Sequence, residues 1–239
     1  MIQITWLGHA TFEIRFDSGE VLVFDPWIEG NPAYPKGYTI EKVDAIAVSH
    51  GHSDHINGVI PLAKKFQPKV AAMVETAGWL EKKGVKNTIG FNKGGTIDLG
   101  FAKLTMTHAI HSTGIQDGDD MLYGGEAAGY VLSLADGRKA YFAGDTAVFS
   151  DMALIGELYQ PELALLPIGD HYTMGPHEAA HAARLLKVKR VIPMHYGTFP
   201  VLTGRPEQLA EKLKKDGIEV WALEKGQPVS WAAVSSAVR

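Results

Sequence analysis

The chain has 239 residues, 46% of them hydrophobic and 21% charged, enough to bury a substantial core with ordinary globular composition. A net charge of -4 gives no surplus of lysine and arginine for neutralising phosphates, so nucleic acid is not an expected partner. The absence of cysteine excludes disulfides, thiolate metal sites and cysteine nucleophiles, so any metal must be held by imidazole and carboxylate. No window reaches the roughly 18 uninterrupted apolar residues of a membrane-spanning helix, so no membrane insertion is expected. Met1–Trp6 runs straight into a strand pattern without the features of an export signal, which makes the cytoplasm the expected compartment.

In chain order, apolar alternation and tight-turn residues predict strands at Ile2–Trp6, Thr11–Phe16 and Val21–Phe24. A strand Val43–Ser49, a helix Ile56–Phe66, a strand Lys69–Val74 and a helix Thr76–Lys83 closed by Gly84 follow. The second run places strands near Thr96–Leu99, Ala102–Ala109, Tyr130–Leu134 and Lys139–Ala143, with a hairpin turn at Asp136-Gly137. Then come helix Ser150–Tyr159, strand Leu163–Ile168, helix His177–Leu186, strand Arg190–Met194, helix Pro206–Lys215 and strand Glu219–Leu223. The two halves share a plan of meander followed by α/β alternation. Packing their bare sheet faces together predicts an α/β, four-layer α/β/β/α sandwich, with residues 1–239 as a single domain. Trp27–Tyr38 and Thr113–Gly129 read as irregular loops and candidate lids.

The most informative segment is Ser49-His50-Gly51-His52-Ser53-Asp54-His55, three imidazoles and a carboxylate directly after an apolar strand. A polar turn favours Gly, Asn and Asp rather than three histidines, so metal ligation is the better reading. Four donors exceed the three protein ligands usual for one catalytic zinc, which points to two ions. Sites in α/β sheets form beyond the carboxyl ends of strands. Three more predicted strands end in donors there: His111, Asp145 and His195. Imidazole and carboxylate suit zinc first, with manganese or iron as alternatives.

The ordered set His50-x-His52-x-Asp54-His55, His111, Asp145, His195 resembles the metallo-β-lactamase superfamily across essentially the whole chain. Within it, Trp6-Leu7-Gly8-His9-Ala10, Phe24-Asp25-Pro26 and Ala143-Gly144-Asp145-Thr146 resemble the bacterial metal-dependent hydrolases grouped with ascorbate-phosphate lactonase. N-acyl-phosphatidylethanolamine phospholipase D is a more distant likeness. The resemblance implies that His50, His52 and His111 hold one ion, Asp54, His55 and His195 the other, and Asp145 bridges them. The residues alone give the set and not that division. Two such ions would activate a shared water and polarise a carbonyl or phosphoryl oxygen, with Asp54 orienting the nucleophile or moving its proton.

The expected function is hydrolysis of a small ester, lactone or phosphoester, with a small molecule as substrate and a second copy of the chain left open as a partner. A metal-binding scaffold and a redox di-iron protein are the alternatives. Among the remaining polar residues, His171 follows a strand and is a candidate proton donor to the leaving group or substrate contact. His9 either lines the site or is a hairpin residue bonded to backbone. His108 reads as a sheet histidine, and His177, His181 and Arg184 as a solvated helix face opposite Ala179, Ala182, Ala183 and Leu186. Trp27, Tyr34 and Tyr38 either grip substrate or pack their own loop. Asp117, Asp119 and Asp120 read as a solvated loop without calcium.

Overall fold

A computed structural model describes residues 1–232. The first sheet contains β1 (Ile2–Trp6), β2 (Phe12–Arg15), β3 (Val21–Phe24), β4 (Ala45–Ala47), β5 (Lys69–Met73) and β6 (Thr88–Phe91). The second contains β7 (Thr96–Asp98), β8 (Lys103–His108), β11 (Ala128–Ser133), β12 (Lys139–Phe142), β13 (Leu163–Pro167), β14 (Arg190–Met194) and β15 (Glu219–Val220). Between β8 and β11 a separate ribbon pairs β9 (Gly114–Asp117) with β10 (Asp120–Tyr123). The last strand, β16 (Pro228–Trp231), returns to the first sheet beside β1. Six helices complete the order: α1 (Ser53–Ile56), α2 (Val59–Phe66), α3 (Val74–Lys82), α4 (Met152–Tyr159), α5 (Pro176–Leu186) and α6 (Pro206–Leu213).

The sheets are built alike. The order β16-β1-β2-β3-β4-β5-β6 pairs antiparallel as far as β3 and parallel from there on. The order β7-β8-β11-β12-β13-β14-β15 does the same, changing at β12. The expected similarity of the halves is therefore a similarity of strand pairing, and the chain's last described strand completes the first sheet.

The period of two along a strand sorts side chains into three cores. Ile4, Phe12, Leu22 and Phe24 meet Leu104, Tyr130, Phe142 and Leu165 between the sheets. Val21, Val23, Ile46 and Val70 face outward under α2 and α3, against Val59, Leu62 and Leu80. Tyr141, Ala164, Leu166 and Val191 face outward under α4, α5 and α6, against Ile155, Ala183 and Leu209. These strands are covered on both faces, which is why Val21-Leu22-Val23-Phe24 is apolar throughout and buried at every position. The expected α/β/β/α layering is what the chain adopts.

Three expectations need correction. The helix expected over residues 56–66 breaks at Asn57-Gly58, where the Gly58 N–H donates to the Pro26 carbonyl at 2.7 Å. The segment 113–129 is not irregular: its first part is the β9–β10 ribbon, held in place because Asp117 accepts bonds from Trp79 Nε1 and Lys83 Nζ. Asp117 is thus an anchor rather than a freely solvated residue. Strands β6 and β16 were not foreseen. Tyr34 and Tyr38 pack against the core beneath α2 and α3, while Trp27 meets His9 in a T-shaped contact. Among the described residues, no helix is long and apolar enough to cross a membrane.

Candidate metal centre

Strand register brings the predicted donors to one edge. Trp6 pairs with Phe12, Phe12 with Phe24 and Phe24 with Ala47, so the ends of β1, β3 and β4 and the start of β2 lie in one row. In the second sheet, His108 pairs with Ala128 and Pro167 with Met194, which aligns the exits of β8, β13 and β14. His50, His111 and His195 leave from these exits, and Asp145 from the exit of β12, which Phe142 aligns with them through Tyr130 and Leu165. Asp54 and His55 come from the single turn of α1 rather than from an extended loop.

The exits demand unusual backbone. Among the described residues, eight that are not glycine have positive φ. Gln67, Gln160 and Lys187 do so as helix C-caps. The other five, His9, Asp25, Asp170, His171 and His195, stand at turns and strand exits on the edge where the donors gather. Left-handed backbone at a non-glycine residue costs on the order of 1 kcal/mol, and such residues concentrate at functional sites. At two glycines the chain permits nothing larger. Gly144, at φ +60, would place a Cβ 2.7 Å from the Ala128 carbonyl oxygen, and it delivers Asp145. Gly51 would place one 2.5 Å from Ile115 Cγ1, so the β9–β10 ribbon sits directly on the histidine motif.

All seven predicted ligands converge. His50, His52 and His111 form one group of donor atoms lying within 4.8 Å of one another; Asp54, His55 and His195, joined by His9, form another. Asp145 stands between the groups: its Oδ2 is 2.9 Å from His195 Nε2, 3.4 Å from His55 Nε2 and 3.6 Å from His111 Nε2. His171 is elsewhere in its contacts. It is exposed, and its ring packs on Tyr172. His108 is also exposed and faces Lys93 Nζ at 2.9 Å, and His177 and His181 lie on the exposed side of α5.

Two buried residues that were not counted among the ligands hold the donors in place. Asp25 accepts from the Ser49 N–H at 2.7 Å, from Ser49 Oγ at 2.5 Å and from His55 Nδ1 at 2.7 Å. Because the Ser49 hydroxyl donates to Asp25, it accepts from His50 Nδ1, 2.9 Å away. One carboxylate thereby fixes the tautomers of His50 and His55 and turns both Nε2 atoms towards the cluster. His9, fully buried, spans Asp54 Oδ2 and Thr198 Oγ1, each at 3.0 Å. The Phe24-Asp25-Pro26 segment and the position of His9 beside the first strand were the available signals. The bonds themselves depend on long-range pairing.

The electrostatics suit a cation. Burial, reinforced by the charge of His55, holds the His50 imidazole well below its ordinary pKa. Burial likewise lowers His52 and His111. His9 is pushed down to about 4 by burial and by the neighbouring His195. These rings are neutral at pH 7, the form that ligates metal. Burial raises the Asp145 carboxyl, but His195 and His55 outweigh it and hold it well below the usual range. For Asp54 the hydrogen bond from His9 and the charge of His55 outweigh burial in the same direction. His55 is the exception among the rings: burial lowers it, yet Asp145 and Asp25 on either side raise it well above 6.5.

The donors also lack partners where a cation would supply one. His55 Nε2, Asp145 Oδ1 and both ring nitrogens of His195 are buried without a hydrogen bond among the described residues. Leaving a buried polar atom unsatisfied costs about 1–3 kcal/mol, and a cation between His55 and His195 would satisfy one ring nitrogen of each. The residues fit a metal centre of imidazole and carboxylate.

Comparison with known proteins agrees with the geometry. The beta-lactamase superfamily domain matches residues 21–196. A UPF0173 metal-dependent hydrolase of Solibacter usitatus is 63% identical over 230 residues, covering 96% of this chain and all of that protein. The structure of Igni18, a metallo hydrolase from the archaeon Ignicoccus hospitalis, is 33% identical with a TM-score of 0.86, covering 98% of this chain and 99% of that one. The metallo-beta-lactamase fold protein YhfI of Bacillus subtilis, at 17% identity and a TM-score of 0.72, covers 95% and 98% and shares the fold. The chain belongs to the beta-lactamase superfamily and, within it, to the UPF0173 metal-dependent hydrolase family.

Proposed function

We propose that this hydrolase works with two divalent ions, one at His50, His52 and His111 and one at Asp54, His55 and His195, shared through Asp145. The observation that carries this is the place of Asp145 Oδ2, within 3.6 Å of a ring nitrogen from each group. Zinc suits the donor set best, with manganese or iron as alternatives. Bound there, such ions supply Lewis acidity and a hydroxide nucleophile near neutral pH.

The chain's own groups do the rest. Asp25 and Ser49 hold the donor lone pairs of His50 and His55 on target. Asp54, kept ionised, is the candidate for orienting the attacking water or shuttling its proton. His171 follows β13 at an exposed exit on the same edge and is the candidate for protonating the leaving group or contacting substrate. The substrate class is a small ester, lactone or phosphoester, in keeping with the likeness to ascorbate-phosphate lactonase.

The test is metal content per chain on protein purified without chelator, with turnover of a model phosphodiester and a model lactone before and after metal removal. Near two equivalents and metal-dependent turnover are expected. One equivalent or fewer after metal is resupplied would sink the two-ion scheme, and metal without turnover on any ester would favour a binding role.

A further inference from the structure

His9 occupies a position that ligation alone does not explain. It follows β1, is fully buried, and has φ 55. Its carbonyl oxygen accepts from the His195 N–H at 3.0 Å and from Trp6 Nε1 at 2.9 Å. Its ring lies 3.8 Å from the His195 ring, centre to centre. Both ring nitrogens are engaged, Nε2 by Asp54 Oδ2 and Nδ1 by Thr198 Oγ1. The protonation pattern follows from the partners. Ionised Asp54 only accepts, so His9 Nε2 carries the proton, and Nδ1 accepts from the Thr198 hydroxyl.

Among the residues near the second group, this separates His9 from the ligands. His55 Nε2 and His195 Nε2 have no hydrogen-bond partner and point into the cluster, whereas His9 has no nitrogen to spare. Three bonds instead make it a strut. One fixes the carboxylate of Asp54, and two fix the loop that carries His195 and Thr198, so donors from α1 and from the β14 exit are brought together by a residue of the first hairpin.

We infer that His9 is a positioning residue which sets Asp54 and His195 jointly for one cation. This rests on the proposal that these residues hold the second ion. Its consequence is that affinity for that ion depends on His9 Nε2 in particular, because Nε2 holds Asp54 while Nδ1 only orients the ring.

Two substitutions divide the ring's functions. A glutamine amide nitrogen can stand near Nε2 and keep the bond to Asp54; an asparagine amide stands near Nδ1 and loses it. Both tolerate the backbone: Gln67 and Gln160 already adopt φ 54 and φ 52 here, and asparagine enters the left-handed region readily. Cobalt(II) titration of chelated wild type, His9→Gln and His9→Asn, followed by visible absorption, reads each ion separately from turnover. Circular dichroism of the chelated proteins reports the fold. The expected result is that His9→Asn binds the second ion about 10- to 100-fold more weakly while keeping the first, and that His9→Gln stays close to wild type.

Equal affinities in all three proteins would overturn the inference, as would complete loss of the ion in both variants, which would make His9 a ligand. Should wild type take up a single ion, the two-ion proposal fails on its own; the inference then stands if His9→Asn weakens that ion relative to His9→Gln and falls if it does not. If chelated His9→Asn does not fold, nitrogen-15 NMR of the chelated wild type carries the test: a His9 ring protonated at Nε2 and bonded to Asp54 sustains the strut, and a proton held at Nδ1 overturns it.

Discussion

The two halves of the molecule share a pattern of strand pairing but hold their donors by different means. The first half supplies His50, His52, Asp54 and His55 from one stretch after β4, and side chains of the same half secure them: Ser49 and Asp25 hold His50, Asp25 holds His55, and His9 holds Asp54. The second half supplies His111, Asp145 and His195 from three separate exits, and secures them by backbone. His195 at φ 58 and Gly144 at φ +60 set direction, while Asp145 Oδ1 and the ring nitrogens of His195 are left without partners. The first half is braced mainly by its own side chains, with His55 Nε2 left for an ion, and the second depends more on an ion for completion. Loss of the buried brace Asp25 should therefore cost folding, and loss of Asp145 should cost metal.

The sharpest way to break that contrast is to compare Asp145→Ala with Asp25→Ala. Asp145→Ala removes the group shared by both ion sites and is expected to lose metal and turnover by more than the roughly 10- to 100-fold that an outer partner is worth, with the fold retained under chelation and a smaller loss of melting temperature than in Asp25→Ala. Asp25→Ala strands the Ser49 N–H, the Ser49 hydroxyl and His55 Nδ1 in a dry interior. At about 1–3 kcal/mol for each orphaned group it should destabilise the chelated protein by several kcal/mol. Atomic metal analysis and chelated thermal melts measure both. Full turnover in Asp145→Ala, or an unchanged chelated melt in Asp25→Ala, would remove the distinction.

The same contrast explains what could be read from the sequence. The motif from His50 to His55 is compact, and chance rarely places three histidines and an aspartate in six residues, so it was legible alone. His111, Asp145 and His195 became legible only as residues at predicted strand exits in a familiar order. Asp25 escaped as a support, and His9 was legible only as one of two alternatives, because their bonds to Ser49, His55 and Asp54 exist only once β1 to β4 align. The layered fold was legible because three cores demand apolar strands between amphipathic helices. The β9–β10 ribbon was not, since Gly114, Gly118 and the acids Asp117, Asp119 and Asp120 imitate a loop, and its pairing with itself leaves most of its residues uncovered. Strand β16 escaped because its sheet partner lies at the other end of the chain.

A second prediction sharpens the claim that the first half is organised around neutral rings. His9, His50 and His52 there, with His111 opposite, have pKa values lowered from 6.5. A folded pKa below the unfolded one means that the unfolded chain takes up protons first as the pH drops. The stabilisation is complete above 6.5 and is lost as pH falls from there through the depressed folded values, about 4 for His9. His55 runs the other way, its contribution being complete below 6.5 and lost as pH rises through its raised folded value. The raised Asp25 carboxyl acts in the same sense as His55, and four lowered rings against these two make the metal-free protein less stable at pH 5 than at pH 7. Thermal melts in chelator would show it, and a melting temperature that is flat or rising towards pH 5 would contradict neutral rings at the site.

The smallest expected effect concerns the β9–β10 ribbon, which belongs to the second half in sequence but leans on the first. Its base rests on Gly51, and its turn is tied to α3 where Asp117 accepts from Trp79 Nε1 at 3.0 Å and from Lys83 Nζ at 2.5 Å. Trp79→Phe keeps the aromatic packing and deletes one of those two bonds, a loss of about 0.5–1.5 kcal/mol confined to the ribbon. Because the ribbon holds none of the seven proposed ligands, metal content should not change. Amide hydrogen exchange should quicken across Gly114–Tyr123 and stay the same in β4 and β12, whose ends carry the donors. If exchange quickened equally in β4, or if metal were lost, the ribbon would be part of what holds the first half's motif in place, and the division between a self-braced half and an ion-completed half would have to be redrawn at Gly51.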